Sequence, residues 1–146
     1  MSRGVAFISA LAAGALVALQ PPANAALSKH VGDLGAALVS VLISTAVILV
    51  LLLLVGHPGR LSGITGFRPE YAIGGISGAV IVAVSLVAVR PLGAGALIAL
   101  LVAGQLAVSI VADRFGWFGL AQVGIGPGRI AGLALVIAGT LLITRT

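Results

Sequence analysis

The sequence predicts an all-α integral membrane protein in which residues 1–146 form a single transmembrane domain with five membrane-spanning helices. The composition carries this prediction. The chain has 8 Lys/Arg and 3 Asp/Glu, so 8% of its residues are charged, whereas soluble domains carry about 25%. So few charges could not cover the surface of a soluble globule of this size. Hydrophobic residues make up 60% and glycine occurs 21 times, a combination that is typical of closely packed membrane helices.

The spans are predicted from five apolar segments of about the 17–25 residues that a helix needs to cross a bilayer. They cover residues 4–27, 35–55, 71–89, 92–112 and 128–144. The second ends in an unbroken apolar run, Leu49–Val55, and the last is the shortest. The breaks between the segments hold nearly all the charges, as expected because a charge at the centre of a spanning helix costs about 2.5–3.5 kcal/mol. Their Gly, Pro and Ser content is typical of turns.

The first segment allows two interpretations. Residues 1–25 begin with Arg3, continue with an apolar stretch and end in Ala23-Asn24-Ala25, a pattern that resembles a cleavable signal peptide. The apolar stretch is long for a signal peptide and a Pro-Pro pair precedes the cleavage-like site, so a retained spanning helix is preferred. Pro21 and Pro22 are then expected to kink or break this helix and to free backbone carbonyls, which in lipid must face protein or water.

The basic residues favour an orientation with the N-terminus in the cytoplasm. With five spans, one side of the membrane carries five basic residues and the other carries three: Arg3, Arg60, Arg68, Arg114 and Arg129 against Lys29, Arg90 and Arg145. The positive-inside rule places the richer side in the cytoplasm. The difference is small, so insertion in both orientations, which would give antiparallel pairs, stays open beside a single orientation.

Three predicted helices carry polar pairs at i, i+4, which places both members on one helix face. These pairs are Gln20/Asn24, Ser40/Ser44 and Gln105/Ser109, and Thr140/Thr144 repeats the spacing nearer a helix end. Amides are costly in hydrocarbon without partners, so these faces are expected to point into the bundle or a wet cavity. One interpretation is hydrogen bonding between helices, which the hydroxyls can also satisfy on their own helix. The other, favoured equally for the amides, is a transport site beside a broken helix.

The third segment opens with Gly74, Gly75 and Gly78, of which the first and last form a G-x-x-x-G step. This step permits close approach of two backbones. Packing within one subunit explains most such glycines, and a dimer interface or a sliding helix contact is the functional alternative.

Catalytic, metal and nucleic-acid sites are not predicted. Cysteine is absent and no carboxylate cluster accompanies His30 or His57, so no metal or other cofactor is expected. The acids Asp33, Glu70 and Asp113 fall at helix ends, and Asp113-Arg114 is expected to be an interfacial charge pair. The basic residues occur singly and form no patch for a phosphate backbone. No arrangement of acids and histidines inside the helices indicates an enzyme.

Five stretches, in order along the chain, carry a resemblance to a known family. They are Gln20-Pro-Pro-Ala-Asn24-Ala, Gly74-Gly-Ile-Ser-Gly78, Val102-Ala-Gly-Gln105, Asp113-Arg-Phe-Gly116 and Arg129-Ile-Ala-Gly132. Together they resemble the YdcZ-type family of small bacterial inner-membrane proteins, which is grouped with the drug/metabolite transporter superfamily near the small multidrug resistance exporters. Those exporters have a glutamate within helix one. This sequence has only Gln20 and Asn24 there, so proton coupling through such a carboxylate is not implied.

The resemblance implies a five-helix subunit that works as a dimer, with itself or with a paired homologous subunit. The pairing implied is antiparallel, giving ten helices with inverted two-fold symmetry, and the role implied is export of a small organic compound. The sequence thus predicts a secondary transporter working by alternating access. Its path would be lined by Gln20, Asn24, Ser40, Ser44, Gln105 and Ser109. The substrate is expected to be neutral or cationic because no buried basic residue would hold an anion. The alternative is a non-transporting structural or accessory subunit, in which these residues serve only assembly.

Overall fold

The computed structural model describes residues 2–145, and all regular secondary structure in that range is helical. The four α-helices are α1 (Arg3–Val31), α2 (Asp33–Leu54), α3 (Ala72–Phe115) and α4 (Pro127–Thr144). Short 3-10 segments lie in the connections at Pro58–Gly66, Pro69–Tyr71 and Trp117–Gly119. Four helical segments in the described range are long and apolar enough to cross a membrane, so the fold is all-α and of the membrane type, as predicted.

Helix α1 is longer than its predicted segment and is not broken at the proline pair. Its N-terminus is capped by Ser2, whose hydroxyl accepts a hydrogen bond from the Val5 N–H at 3.3 Å. The helix continues through Pro21 and Pro22 to Val31. Proline carries no N–H, so the carbonyls four residues before Pro21 and Pro22 lose their usual helical donors. The helix nevertheless continues past both prolines.

A single residue, Gly32, connects α1 to α2. Its φ of 73° and ψ of 168° lie in a region that essentially only glycine occupies. Its N–H donates to the Ser28 carbonyl at 2.9 Å, and its carbonyl accepts from the Ala36 N–H at 2.9 Å, so it ends one helix and begins the next. The break predicted over residues 28–33 is therefore one residue long, because the polar residues before Gly32 remain helical.

Helix α3 contains both the third and the fourth predicted segments. One residue inside it, Gly93, has a non-helical φ of 76° and ψ of 161°, nearly the conformation of Gly32. We therefore distinguish a first part (72–92) from a second part (94–115). The break predicted at Arg90-Pro91 falls at Gly93 instead, because this backbone conformation is open to glycine and not to proline, whose φ is fixed near −65°.

The chain divides into two compact units, Met1–Arg90 and Pro91–Thr146. In the first unit, α1 packs along α2. The buried residues of this unit all lie in the helix portions closest to Gly32 or to Arg90: Pro21, Asn24, Ser28, Ala36, Ala37, Ser85, Leu86 and Val89. In the second unit, the buried side chains include Ala96, Leu97 and Thr140. Most large apolar side chains of the helices are exposed, as expected for helices that face lipid.

Candidate functional site

Two residues of the predicted polar faces, Asn24 and Ser40, form a part-buried hydrogen bond between α1 and α2. Asn24 Nδ2 donates to Ser40 Oγ at 3.2 Å, and Asn24 is only 9% exposed. The two residues lie eight positions before and eight after Gly32. With a rise of 1.5 Å per residue, both therefore sit about 12 Å from the turn. The one-residue connection thus brings the polar faces of the two helices to the same level.

The other two predicted serines satisfy their hydroxyl donors on their own helices. Ser44 Oγ donates to the Ser40 carbonyl at 3.0 Å, and Ser109 Oγ donates to the Leu106 carbonyl at 3.0 Å. Both side chains are exposed. This is the local bonding available to hydroxyls in helices, and it leaves their oxygen lone pairs free to accept a further bond.

The two predicted glutamines are exposed. Gln20 lies one turn before Asn24 on α1, and Gln105 lies in the second part of α3, in the other unit. Within residues 2–145 neither side-chain amide forms a hydrogen bond. An amide left unpaired in hydrocarbon is costly, so water, substrate or a second protein surface must cover these two groups in the membrane.

The proline pair and the glycines of α3 differ in their surroundings. Pro21 is buried and Pro22 is exposed. The three glycines, Gly74, Gly75 and Gly78, are exposed near the start of α3, and a Cβ added at any of them would meet no described atom within 4 Å. Among residues 2–145, the packing expected at these glycines within one subunit is therefore not found, and the alternative, contact with a second copy, is untested.

A polar cluster at the Gly32 turn was not predicted from the sequence. Arg90 Nη1 donates to Asp33 Oδ2 at 3.1 Å, its Nη2 is bonded to Asp33 Oδ1, and Nη2 also donates to Ser28 Oγ at 2.7 Å. The three residues come from α3, α2 and α1. Ser28 follows Asn24 by four positions, so the same face pattern extended by one turn would have found it. No local pattern pairs Arg90 with Asp33, which are 57 residues apart.

A second missed residue is Ser85, one turn before Val89 on the first part of α3. It is 4% exposed, and its Oγ is a buried polar atom without a hydrogen-bond partner among the described residues. A buried hydroxyl without a partner is destabilising by about 1–3 kcal/mol, so the packed arrangement here carries a cost.

The second unit has its own polar contacts. Thr140 Oγ1 approaches the Val136 carbonyl at 2.8 Å and the Ala99 carbonyl at 3.2 Å, which links α4 to the second part of α3. Asp113 accepts a hydrogen bond from Arg129 Nη1 at 3.0 Å, so the predicted neighbour Arg114 is not its partner. In residues 2–145 no three His, Asp or Glu side chains are grouped as a metal site would require.

The chain matches a known protein family. A family model described as "Putative inner membrane exporter, YdcZ" matches residues 5–142. The match covers nearly the whole chain and includes all five stretches on which the resemblance was based. No curated protein and no solved structure matches the chain.

Proposed function

The chain belongs to the YdcZ family of inner-membrane proteins, and from this we propose that it is an exporter of small neutral or cationic organic compounds that works as a dimer by alternating access. The protein is a multi-pass inner-membrane protein of a family described as exporters. The single observation that carries the proposed site is the buried Asn24–Ser40 bond.

The length of α3 supports the proposal of five spans. Its 44 residues would extend about 66 Å as one straight helix, roughly twice the 30 Å hydrocarbon core of a bilayer. Gly93 interrupts its helical conformation near the middle. We therefore propose that the first and second parts of α3 cross the membrane separately, which places the N-terminus and the C-terminus on opposite sides.

The proposed path begins at the face of α1 that carries Gln20 and Asn24. Asn24 is buried and bonded to Ser40, so it is held in one orientation, while Gln20 one turn away is exposed and free to meet a solute. Ser44 extends the polar lining on α2 as a hydrogen-bond acceptor. In the second unit, Gln105 and Ser109 remain proposed members of the path, the amide as donor and acceptor and the hydroxyl as acceptor. An amide in a largely apolar surrounding suits a small organic molecule with few polar groups.

The expected charge of the substrate follows from the basic residues. Of the buried residues in the described range, none is basic. The guanidinium of Arg90, which donates to Ser28 one turn after Asn24, is already paired with Asp33. An anion would therefore find no free positive group along this face, whereas a neutral compound or an organic cation needs none.

A second copy completes the path in this proposal. Gln20 and Gln105 both expose amides that lipid cannot satisfy, and inverted pairing of two subunits supplies the symmetry on which alternating access depends. The alternative, a structural or accessory subunit, uses the same polar groups only for assembly.

The experiment is flux through vesicles reconstituted with the purified protein, tested with a panel of organic cations, neutral compounds and anions. Asn24→Ala and Gln105→Ala are compared with Thr45→Ala. The control removes an exposed hydroxyl of α2 that donates only to the Val41 carbonyl at 2.9 Å. We expect flux of at least one cation or neutral compound, a strong reduction in the two amide variants, and little change in the control.

Two results would contradict the proposal in different ways. Equal flux in the amide variants and the parent protein would remove these residues from the path. Absence of flux for every compound, together with loss of the dimer in the amide variants on cross-linking, would favour the structural subunit.

A further inference from the structure

The Arg90–Asp33–Ser28 cluster closes one end of the first unit. It joins the last turns of α1, the first turn of α2 and the end of the first part of α3 at a single place. The buried side chains of this unit lie within about a dozen residues of that place, and none of its buried residues lies in 3–20 or 41–81. The helices are therefore packed at the Gly32 end and exposed toward their other ends.

The cluster is well suited to hold three helix ends together. Its ion pair uses two hydrogen bonds from the Arg90 guanidinium to the two oxygens of the Asp33 carboxylate, the planar arrangement that gives such pairs strength and direction. Asp33 lies in the first turn of α2 and Arg90 lies three residues before the interruption at Gly93. Each charge is thus placed near the helix end whose dipole favours it.

The closed end also contains a buried hydroxyl that favours separation of the helices. Ser85 Oγ is buried without a partner among the described residues, about 7.5 Å along the helix from Arg90 at 1.5 Å per residue. Separation of the helices at this end would let water reach that hydroxyl. The closed state is therefore held by the ion pair and weakened by the unpaired hydroxyl, so the two arrangements can lie close in free energy.

We propose that Arg90, Asp33 and Ser28 form a gate that closes the Gly32 end of the transport path, an inference that rests on the proposed transport function. Asn24 lies one turn before Ser28 on the same helix face. Breaking the ion pair opens the path from the Gly32 end to the Asn24–Ser40 level. The residues of the gate act by positioning the helices and need not touch the substrate.

The test uses the absence of cysteine from the chain. A single reporter, Ala37→Cys, is placed on α2 at a position that is 8% exposed. The full chain in lipid nanodiscs, where both membrane faces are accessible, is labelled with a water-soluble maleimide. We expect Asp33→Asn or Arg90→Gln to raise the labelling rate about 1.5- to 5-fold, the range for loss of a partly exposed ion pair. The exchange Asp33→Arg with Arg90→Asp restores the ion pair but places both charges against the helix dipoles, so it should return the rate only part of the way to that of the parent.

The test includes a matched control variant and one variant that is expected to slow labelling. Glu70→Gln breaks the exposed pair of Arg68 with Glu70, 3.6 Å apart within one short segment, and should leave labelling unchanged. Ser85→Ala removes the unpaired hydroxyl and should slow labelling. If Asp33→Asn does not fold, judged by helical content and monodispersity, Ser28→Ala and Arg90→Lys keep the charges while removing hydrogen bonds, and both should raise the rate.

The gate is overturned if folded variants of Asp33, Arg90 or Ser28 label no faster than the parent reporter. It is also overturned if the exchanged pair labels as fast as the single variants, or if Ser85→Ala labels as fast as the parent or faster. Labelling requires no transport. A negative result here with intact flux therefore refutes the gate alone, whereas a positive result without flux in vesicles refutes the transport function.

Discussion

Substitution of Gly32 by alanine tests the one-residue connection on which the level of the Asn24–Ser40 bond depends. Gly32 has a φ of 73° and a ψ of 168°, and a side chain in this region costs about 1–3 kcal/mol in backbone strain. A Cβ at this position would meet no described atom within 4 Å, so collision with neighbours adds nothing. We therefore expect Gly32→Ala to lower the free energy of unfolding by about 1–3 kcal/mol.

The assay is equilibrium unfolding of the detergent-solubilised protein in a titration with denaturing detergent, followed by circular dichroism. The control is Gly14→Ala, inside α1, where the conformation is helical and an added Cβ again meets no described atom within 4 Å. It should raise stability by about 0.5–1 kcal/mol, the cost of glycine in a helix. The two substitutions add the same methyl group, so their opposite signs isolate the backbone conformation. Equal effects would refute the conformation assigned to Gly32.

Three further predictions concern single contacts. A double-mutant cycle of Asn24→Ala with Ser40→Ala should give a coupling energy of about 0.6–1.7 kcal/mol, as for hydrogen bonds between membrane helices, and a coupling near zero would show that the 3.2 Å bond is not formed in the membrane. Thr140→Val keeps the shape of a 5% exposed side chain but removes its link to Ala99, so unfolding measurements should show a loss of about 1 kcal/mol; no loss would contradict that link. Asp113→Asn breaks the 3.0 Å pair with Arg129, whose partners are about one-third exposed, so the loss of stability should stay below about 1 kcal/mol and shrink at high salt; a larger or salt-independent loss would contradict this.

The spans could be predicted from the sequence because lipid places a strong constraint on composition. The apolar runs that became α2 and α4 were located to within two residues at each end. The breaks between the spans were harder to predict. A charged or polar residue ends an apolar run but does not end a helix, so Lys29 and Arg90 were placed in breaks although both are helical. The actual ends are set by Gly32 and Gly93, and nothing in the sequence around them distinguishes these two from the other glycines.

Residues of the candidate site that share one helix face could be predicted from the sequence, whereas contacts between two helices could not. The i, i+4 spacing located the face carrying Asn24, and the structure buries that residue. Its bond to Ser40 depends on the length of the connection between helices, which the sequence did not reveal. The pair of Arg90 with Asp33 needs the end of α3 to reach the start of α2, and no pattern within a segment records such a contact.

Solute counterflow in vesicles tests the central claim of an alternating-access exporter most directly. Vesicles containing the purified protein are loaded with an unlabelled organic cation or neutral compound from the panel and diluted into a trace of the same compound in labelled form. The proposed mechanism predicts transient accumulation of label, saturable by the unlabelled compound and strongly reduced by Asn24→Ala, with Thr45→Ala as the unaffected control. No accumulation of any compound, with protein that is folded and dimeric, would contradict the account.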